Sequence, residues 1–243
     1  MHVSWVKNLT IYVFTTLLLV VPARADVKSL VQQATAAYVK AHKKGSTALD
    51  DLVNVAQAIP SIVLDIKYAT DNNFTGKAVY TQPVCYLRRA VVEALKQVQQ
   101  ELGKQGFGLK IWDGYRPYMV QQKFWDLVPD PRYVGDPAKG SKHNRGAAVD
   151  LTIISLTTGK ELTMPSAFDD FSEKAHRNYA AMSPEAAKNC RFLEDAMTKH
   201  GFAGLPTEWW HFDYTGGQEQ APRWQQFALL NLSFEELAKL QQQ

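Results

Sequence analysis

Apolar residues recur along this chain at two spacings, and the alternation between the two predicts its elements. Residues 26–44 carry Leu30, Val31, Ala34 and Tyr38 at intervals of three and four, which predicts an amphipathic helix closing at Gly45. Residues 62–68 alternate instead, with Ile62, Leu64, Ile66 and Tyr68 against Val63, Asp65 and Lys67, the two-residue period of a half-buried strand. The helical period returns over 87–102 through Leu87, Val91, Ala94, Val98 and Leu102 and stops at Gly103. A short strand at 109–112 then meets Asp113, Gly114, Tyr115, Arg116 and Pro117, a turn by its Gly and Pro, and a helix resumes over Tyr118–Leu127.

Beyond a segment rich in Pro, Gly and charge (129–146), residues 147–154 read as a strand, with a hairpin turn at Gly159 leading into 160–164. Ser183, Pro184 and Glu185 open a helix that runs to His200: a capping Ser, Pro at the first helical position and an acid in the first turn. An aromatic-rich strand follows over 207–214, and Ser233 with Glu236 forms a capping box for a last short helix. The pattern predicts a single α+β domain, an antiparallel sheet with flanking helices, over 61–243, preceded by a helical segment over 26–60.

The first 25 residues fit neither period. Lys7 precedes an eleven-residue apolar run from Ile11 to Val21, and Ala23, Arg24 and Ala25 follow at cleavage spacing, the form of a signal peptide cut after Ala25. The run is shorter than the ~20 residues of a spanning helix, so export to the periplasm or medium with no membrane span is expected after cleavage. Its removal takes Lys7 and Arg24 from the 27 basic residues and none of the 24 acids. The near-neutral remainder gives no reason to expect a nucleic acid partner. Cys85 and Cys190 could pair in an exported protein, although Cys190 also lies on an apolar helical stripe with Ala186, Leu193 and Met197.

Two strings carry candidate chemistry. Residues 141–150, SKHNRGAAVD, offer His143 and Asp150, and residues 208–211, EWWH, offer Glu208 and His211. Three ligands from His, Asp and Glu with one open position describe a catalytic zinc site, with Glu208 left as a candidate general base. Asp150 in an otherwise apolar strand needs a metal, an Arg or a proton as partner, because burying a lone charge costs several kcal/mol. Glu208 and His211, three apart, would face opposite ways in a regular strand, so serving one metal requires that Glu208 precede the strand or that a bulge near Trp209 turn it. Otherwise His211 is a core histidine and Glu208 a surface acid.

Taken with KYAT at 67–70, NFTG at 73–76 and WDGYRP at 112–117, these strings resemble those of the zinc D-alanyl-D-alanine dipeptidases of vancomycin-resistance type, in the same order and across most of the chain. The resemblance implies that His143, Asp150 and His211 bind one Zn²⁺ and that Glu208 is the catalytic base. It also implies that Arg116 stabilises the transition state, and that Tyr68, Ser141 and Asp169 shape a pocket for a small dipeptide. Family members tied to resistance act inside the cell, whereas this chain carries an export signal, which points to dipeptides released from cell wall. A zinc carboxypeptidase or endopeptidase acting on peptidoglycan stems would use the same ligands, and a cell-wall binding module would need neither base nor oxyanion partner.

Overall fold

The computed structural model describes residues 26–42, 46–218 and 220–242. The expected signal segment, and Gly45 as a helix stop, lie outside them. In chain order the elements are α1 (Val27–Ala41), β1 (Leu52–Asn54), α2 (Val55–Ala58), β2 (Val63–Leu64), β3 (Tyr86–Arg88), α3 (Arg89–Gly103), β4 (Phe107–Asp113), α4 (Tyr118–Leu127), β5 (Ala148–Ser155), α5 (Pro184–Lys199), β6 (Phe202–Leu205), β7 (Glu208–Tyr214) and α6 (Phe234–Gln242).

Five strands form the main sheet in the order β2-β4-β5-β7-β6. It is the expected α+β sheet with one amendment: the edge pair β2–β4 is parallel, and the other three pairs are antiparallel. β5 lies at its centre and is buried at every position but its last, so Val149, Leu151 and Ile153 point into core on one face while Ala148, Asp150 and Thr152 are enclosed on the other. Burying each large aliphatic side chain there contributes roughly 1.5–3 kcal/mol. α3 packs on β4, α5 on β6, and the two helices on each other. The face of α3 is made by Val91, Leu95, Val98 and Leu102, close to the stripe expected.

Several expectations shift at their edges. The alternation over 62–68 holds as burial, with Ile62, Ile66 and Tyr68 inside, yet only Val63–Leu64 pairs in the sheet and Lys67–Ala69 forms a single 3₁₀ turn. Leu87 belongs to β3, paired with β1, and α3 starts at Arg89. The hairpin beyond Gly159 contributes a single bridge, Ile154 to Glu161. β6 was not expected, since four residues with one Gly show no period. Ser183 caps α5 by accepting from Ala186 N, and Ser233 and Glu236 make both capping-box bonds. Cys85 and Cys190 are free, buried thiols, so the pairing considered from sequence is not made.

Two irregularities matter most. Ile111 pairs with Leu151 and Asp113 with Asp150, which leaves Trp112 as an extra residue in β4. Phe202, Ala203 and Gly204 of β6 oppose Tyr214, Asp213 and Phe212, but Leu205 opposes Glu208, which leaves Trp209, Trp210 and His211 as a large bulge of β7 against β6. Both flank Asp150. Bulges at such places re-aim side chains.

Candidate metal centre and active site

The end of β5 brings the two strings together. Asp150 and His211 are direct cross-strand partners, while His143 sits in the 3₁₀ turn His143–Arg145 that precedes the strand. That turn ends at Gly146, whose φ of +66° suits glycine and whose position would push a Cβ to 2.5 Å from Leu52 Cδ2. Any larger residue there would be strained at that φ and would have to displace Leu52.

The two imidazoles and the Asp150 carboxylate crowd together, with both carboxylate oxygens taking part. His143 Nε2 is 3.1 Å from His211 Nδ1, His211 Nδ1 is 3.0 Å from Asp150 Oδ1, and His143 Nε2 is 3.4 Å from Asp150 Oδ2. Ligands about 2.0–2.1 Å from a tetrahedral zinc stand about 3.3 Å apart, a spacing with which these distances are compatible, so the three residues could hold one metal ion. The chemistry of the outer atoms agrees. His143 Nδ1 lies 2.7 Å from the Gly114 carbonyl and His211 Nε2 lies 2.9 Å from Asp213 Oδ1, both acceptors only. Each outer nitrogen must therefore carry the proton, and in the neutral rings both inner nitrogens present lone pairs. Two lone pairs and a carboxylate converge in a buried space, and only a cation or borrowed protons can satisfy them.

Without a cation the site's pKa values show that borrowing. Burial works against a charged His211, but Asp213 and Asp150 overcome it and push the imidazole up to about 10. Burial alone would raise Asp150, yet His143 and His211 hold it well below the usual carboxylate range. Burial pushes Glu208 up to about 8, with Asp150 and Asp169 adding to the rise against the pull of His211 and Arg116.

Glu208 reaches the same centre, its Oε2 3.8 Å from His211 Nδ1. Of the two arrangements open from sequence, the bulge is the one adopted: Glu208 is the first residue of β7, and Trp209 to His211 swell out so that residues three apart share a face. Arg116 lies just after the β4 bulge. Its Nε and Nη2 donate to Asp113 Oδ2 at 3.1 and 2.7 Å and its Nη1 to Gln121 Oε1 at 2.8 Å, while its guanidinium rests over Phe124 and Tyr68. Nη2 also stands 3.9 Å from Asp150 Oδ2, which turns the cation's free edge towards the three ligands.

Asp169 forms another wall. It adopts φ +59°, the one positive value at a non-glycine among the described residues, and accepts from Tyr68 Oη at 2.9 Å and from Phe74 N at 3.2 Å. Burial raises its carboxyl to about 7. Such strain persists only where the surroundings over-determine it. Ser141 accepts from His143 N at 3.2 Å and so stiffens the ligand turn. All eight residues singled out from sequence line one cavity of about 130 Å³.

Sequence reasoning passed over the groups behind them. Asp213 follows His211 by two and therefore shares its face, a signal the strand period carries. Asp113, three before Arg116 in the same turn, was readable as its counter-ion. Gln121 and the Gly114 carbonyl had no such signal, because their roles depend on how α4 and the turn fold back.

A family model described as D-ala-D-ala dipeptidase, peptidase M15, matches residues 48–229. The D-alanyl-D-alanine dipeptidase of Escherichia coli (strain K12) is 39% identical over 163 residues, 67% of this chain and 84% of the relative. The enzyme of the same name from Enterococcus faecium is 34% identical over 188 residues, 69% and 90% of the two chains. Among solved structures, the LdcB LD-carboxypeptidase superposes with a TM-score of 0.41 at 21% identity, covering 80% of this chain and 79% of that one.

Proposed function

The chain belongs to the D-ala-D-ala dipeptidase family, peptidase M15, and from that premise we propose that it hydrolyses free D-alanyl-D-alanine at a zinc centre held by His143, Asp150 and His211. The observation that carries the reading is the convergence of His143 Nε2, His211 Nδ1 and the Asp150 carboxylate at 3.0–3.4 Å, with Glu208 on one side and Arg116 on another. Bound zinc would supply Lewis acidity and bring the pKa of a coordinated water to about 7.

The residues of the chain do the rest. Glu208 takes the proton of the attacking water and hands it to the leaving amine, the double duty of a general base and acid. Arg116, locked by Asp113 and Gln121, offers its free edge to the oxyanion without reorganising, and removal of one such donor typically costs about 2.7–4 kcal/mol. Asp169, half-buried and aimed by Tyr68 and Phe74 N, pairs with the ammonium of the dipeptide. That pairing separates a dipeptidase from a carboxypeptidase, whose substrates have no free amine at this place.

The test compares wild type with Asp169→Ala on free and N-acetylated D-alanyl-D-alanine. Wild type cleaves the free dipeptide much faster, and Asp169→Ala lowers its kcat/KM by about 10², since truncating one partner of a buried charge pair costs about 2–5 kcal/mol. The acetylated compound, which leaves the carboxylate unpaired in wild type, loses that handicap in the variant. Faster wild-type cleavage of the acetylated compound overturns the dipeptidase reading in favour of a carboxypeptidase and leaves the metal site standing.

Export belongs to the same proposal. No helix of the described residues is long and apolar enough to cross a membrane, and Asp26, the first residue after the expected cut, caps α1 by accepting from Ser29 N. Mass spectrometry of the protein from its native host should find Asp26 at its N-terminus. Retention of Met1 or of the apolar run contradicts cleavage.

A further inference from the structure

The bulge that brings Glu208 and His211 to one face needs something to hold it open. Pro206 and Thr207 form a two-residue turn that pairs Leu205 with Glu208, whereas the body of the β6–β7 ladder, continued from Gly204 and Phe212, would set Leu205 opposite His211. The two registers differ by three residues, so Leu205 and His211, which a continued ladder would have set opposite each other, are not partners. Arg177 fills the gap. Its Nε donates to Leu205 O at 2.9 Å, its Nη2 to His211 O at 2.8 Å, and its backbone N to Pro206 O at 3.0 Å. Its guanidinium carbon stands 4.3 Å from the centre of the Phe212 ring, and its remaining Nη1 lies 3.8 Å from Glu194 Oε2. Gly204 makes the room: a Cβ there would fall 2.3 Å from the guanidinium.

We infer that Arg177 is the positioning residue of this active site, a wedge whose two parallel donors replace the missing cross-strand partners and fix the bulge carrying His211 and Glu208. It does not line the catalytic cavity. A planar fork with fixed N–H directions can bridge two carbonyls at once, which an ammonium cannot do in the same way. The inference rests on the roles proposed for His211 and Glu208. Behind the guanidinium a cavity of about 250 Å³, lined by Arg177, Tyr179, Cys190, Arg191 and Glu194, leads away from the catalytic centre. A small guanidinium compound can therefore approach the wedge position without entering the substrate pocket.

The experiment uses zinc-loaded Arg177→Ala, Arg177→Lys and Gly204→Ala with D-alanyl-D-alanine, together with zinc affinity and thermal unfolding of each. Arg177→Ala should lower kcat by on the order of 10², as a displacement of about 1 Å at the reacting groups does. KM should change little, because Asp169 and Tyr68 stand on other segments, and zinc should bind about tenfold more weakly through the loosened His211. Methylguanidinium should restore kcat and zinc affinity in Arg177→Ala in a saturable way. It should do neither in Gly204→Ala, whose new methyl group displaces the Arg177 side chain and fills its place, nor alter wild type. Arg177→Lys should recover only part of the rate. Unchanged kcat in both Arg177→Ala and Gly204→Ala overturns the inference. So does a loss of fold, zinc and turnover together that methylguanidinium leaves unrepaired, which makes Arg177 a general structural residue. Glu208→Gln is read separately: if it keeps its activity, the base assignment fails while zinc affinity and rescue still report on Arg177.

Discussion

Glu208→Gln should leave a folded, zinc-loaded protein whose kcat on D-alanyl-D-alanine is lower by about 10² or more, the usual scale of a general base. The substitution is nearly isosteric and the side chain is buried, so the bulge around Trp209 and Trp210 has no reason to repack. It is also electrostatically mild without metal, because burial raises Glu208 to about 8 and the neutral amide imitates the protonated acid. What is lost is the ability to accept a proton. Steady-state kinetics beside metal analysis and thermal unfolding decide it: intact zinc and an intact melting temperature with an unchanged kcat remove Glu208 from the chemistry.

The sign of the pH effect supports a control. Glu208 and His211 both have raised pKa values in the metal-free fold, so the stability each contributes is fully present below its ordinary pKa, about 4.3 and 6.5. That stability is lost as pH rises through about 8 and about 10 respectively. Metal-free wild type should therefore weaken on going from neutral to alkaline pH, and Glu208→Gln should weaken less.

His211→Ala should lose both zinc and turnover, the largest effect expected of any single ligand. Two of the three close contacts among the ligands are made by its Nδ1, at 3.0 and 3.1 Å from Asp150 and His143, and the strand residue opposite it is Asp150 itself. Wild type should bind about one zinc per chain and gain stability with free metal, by about 4 kcal/mol at a thousandfold excess over Kd. The variant should show no such response. Because Asp213 and Asp150 hold a proton on His211 in the metal-free protein, binding near neutrality must displace it. Zinc affinity should rise with pH from neutrality towards about pH 10, and calorimetry in two buffers of different ionisation enthalpy should register the proton released. Full zinc in His211→Ala would dismantle the centre as described.

The sequence by itself determined the long elements and the inventory of the site. The helical stripes of α1, α3 and α5, the helix Tyr118–Leu127, the strand around Asp150 and the capping box at Ser233 are local facts, fixed by periodicity and by side chains that reach their own backbone. The donor types in SKHNRGAAVD and EWWH are local too, and so was the need of Asp150 for a partner. What only the tertiary structure decided is where the regular pattern gives way. β2 shrinks to two residues because only Val63–Leu64 reaches the edge of β4, and β6 exists because β7 offers it a ladder. The bulge of β7 arises from a conflict of register between a turn and a ladder, and that of β4 from one extra residue against β5, and no single strand can record either. They set Arg116 and Glu208 towards the ligands, and while Asp113 is a local partner at the end of β4, Gln121 of α4 and Arg177 of the segment before α5 are brought back across the sheet to hold them. A strand's period tells which residues share a face. It breaks down where the strand must bend to place two functional residues three positions apart on one side.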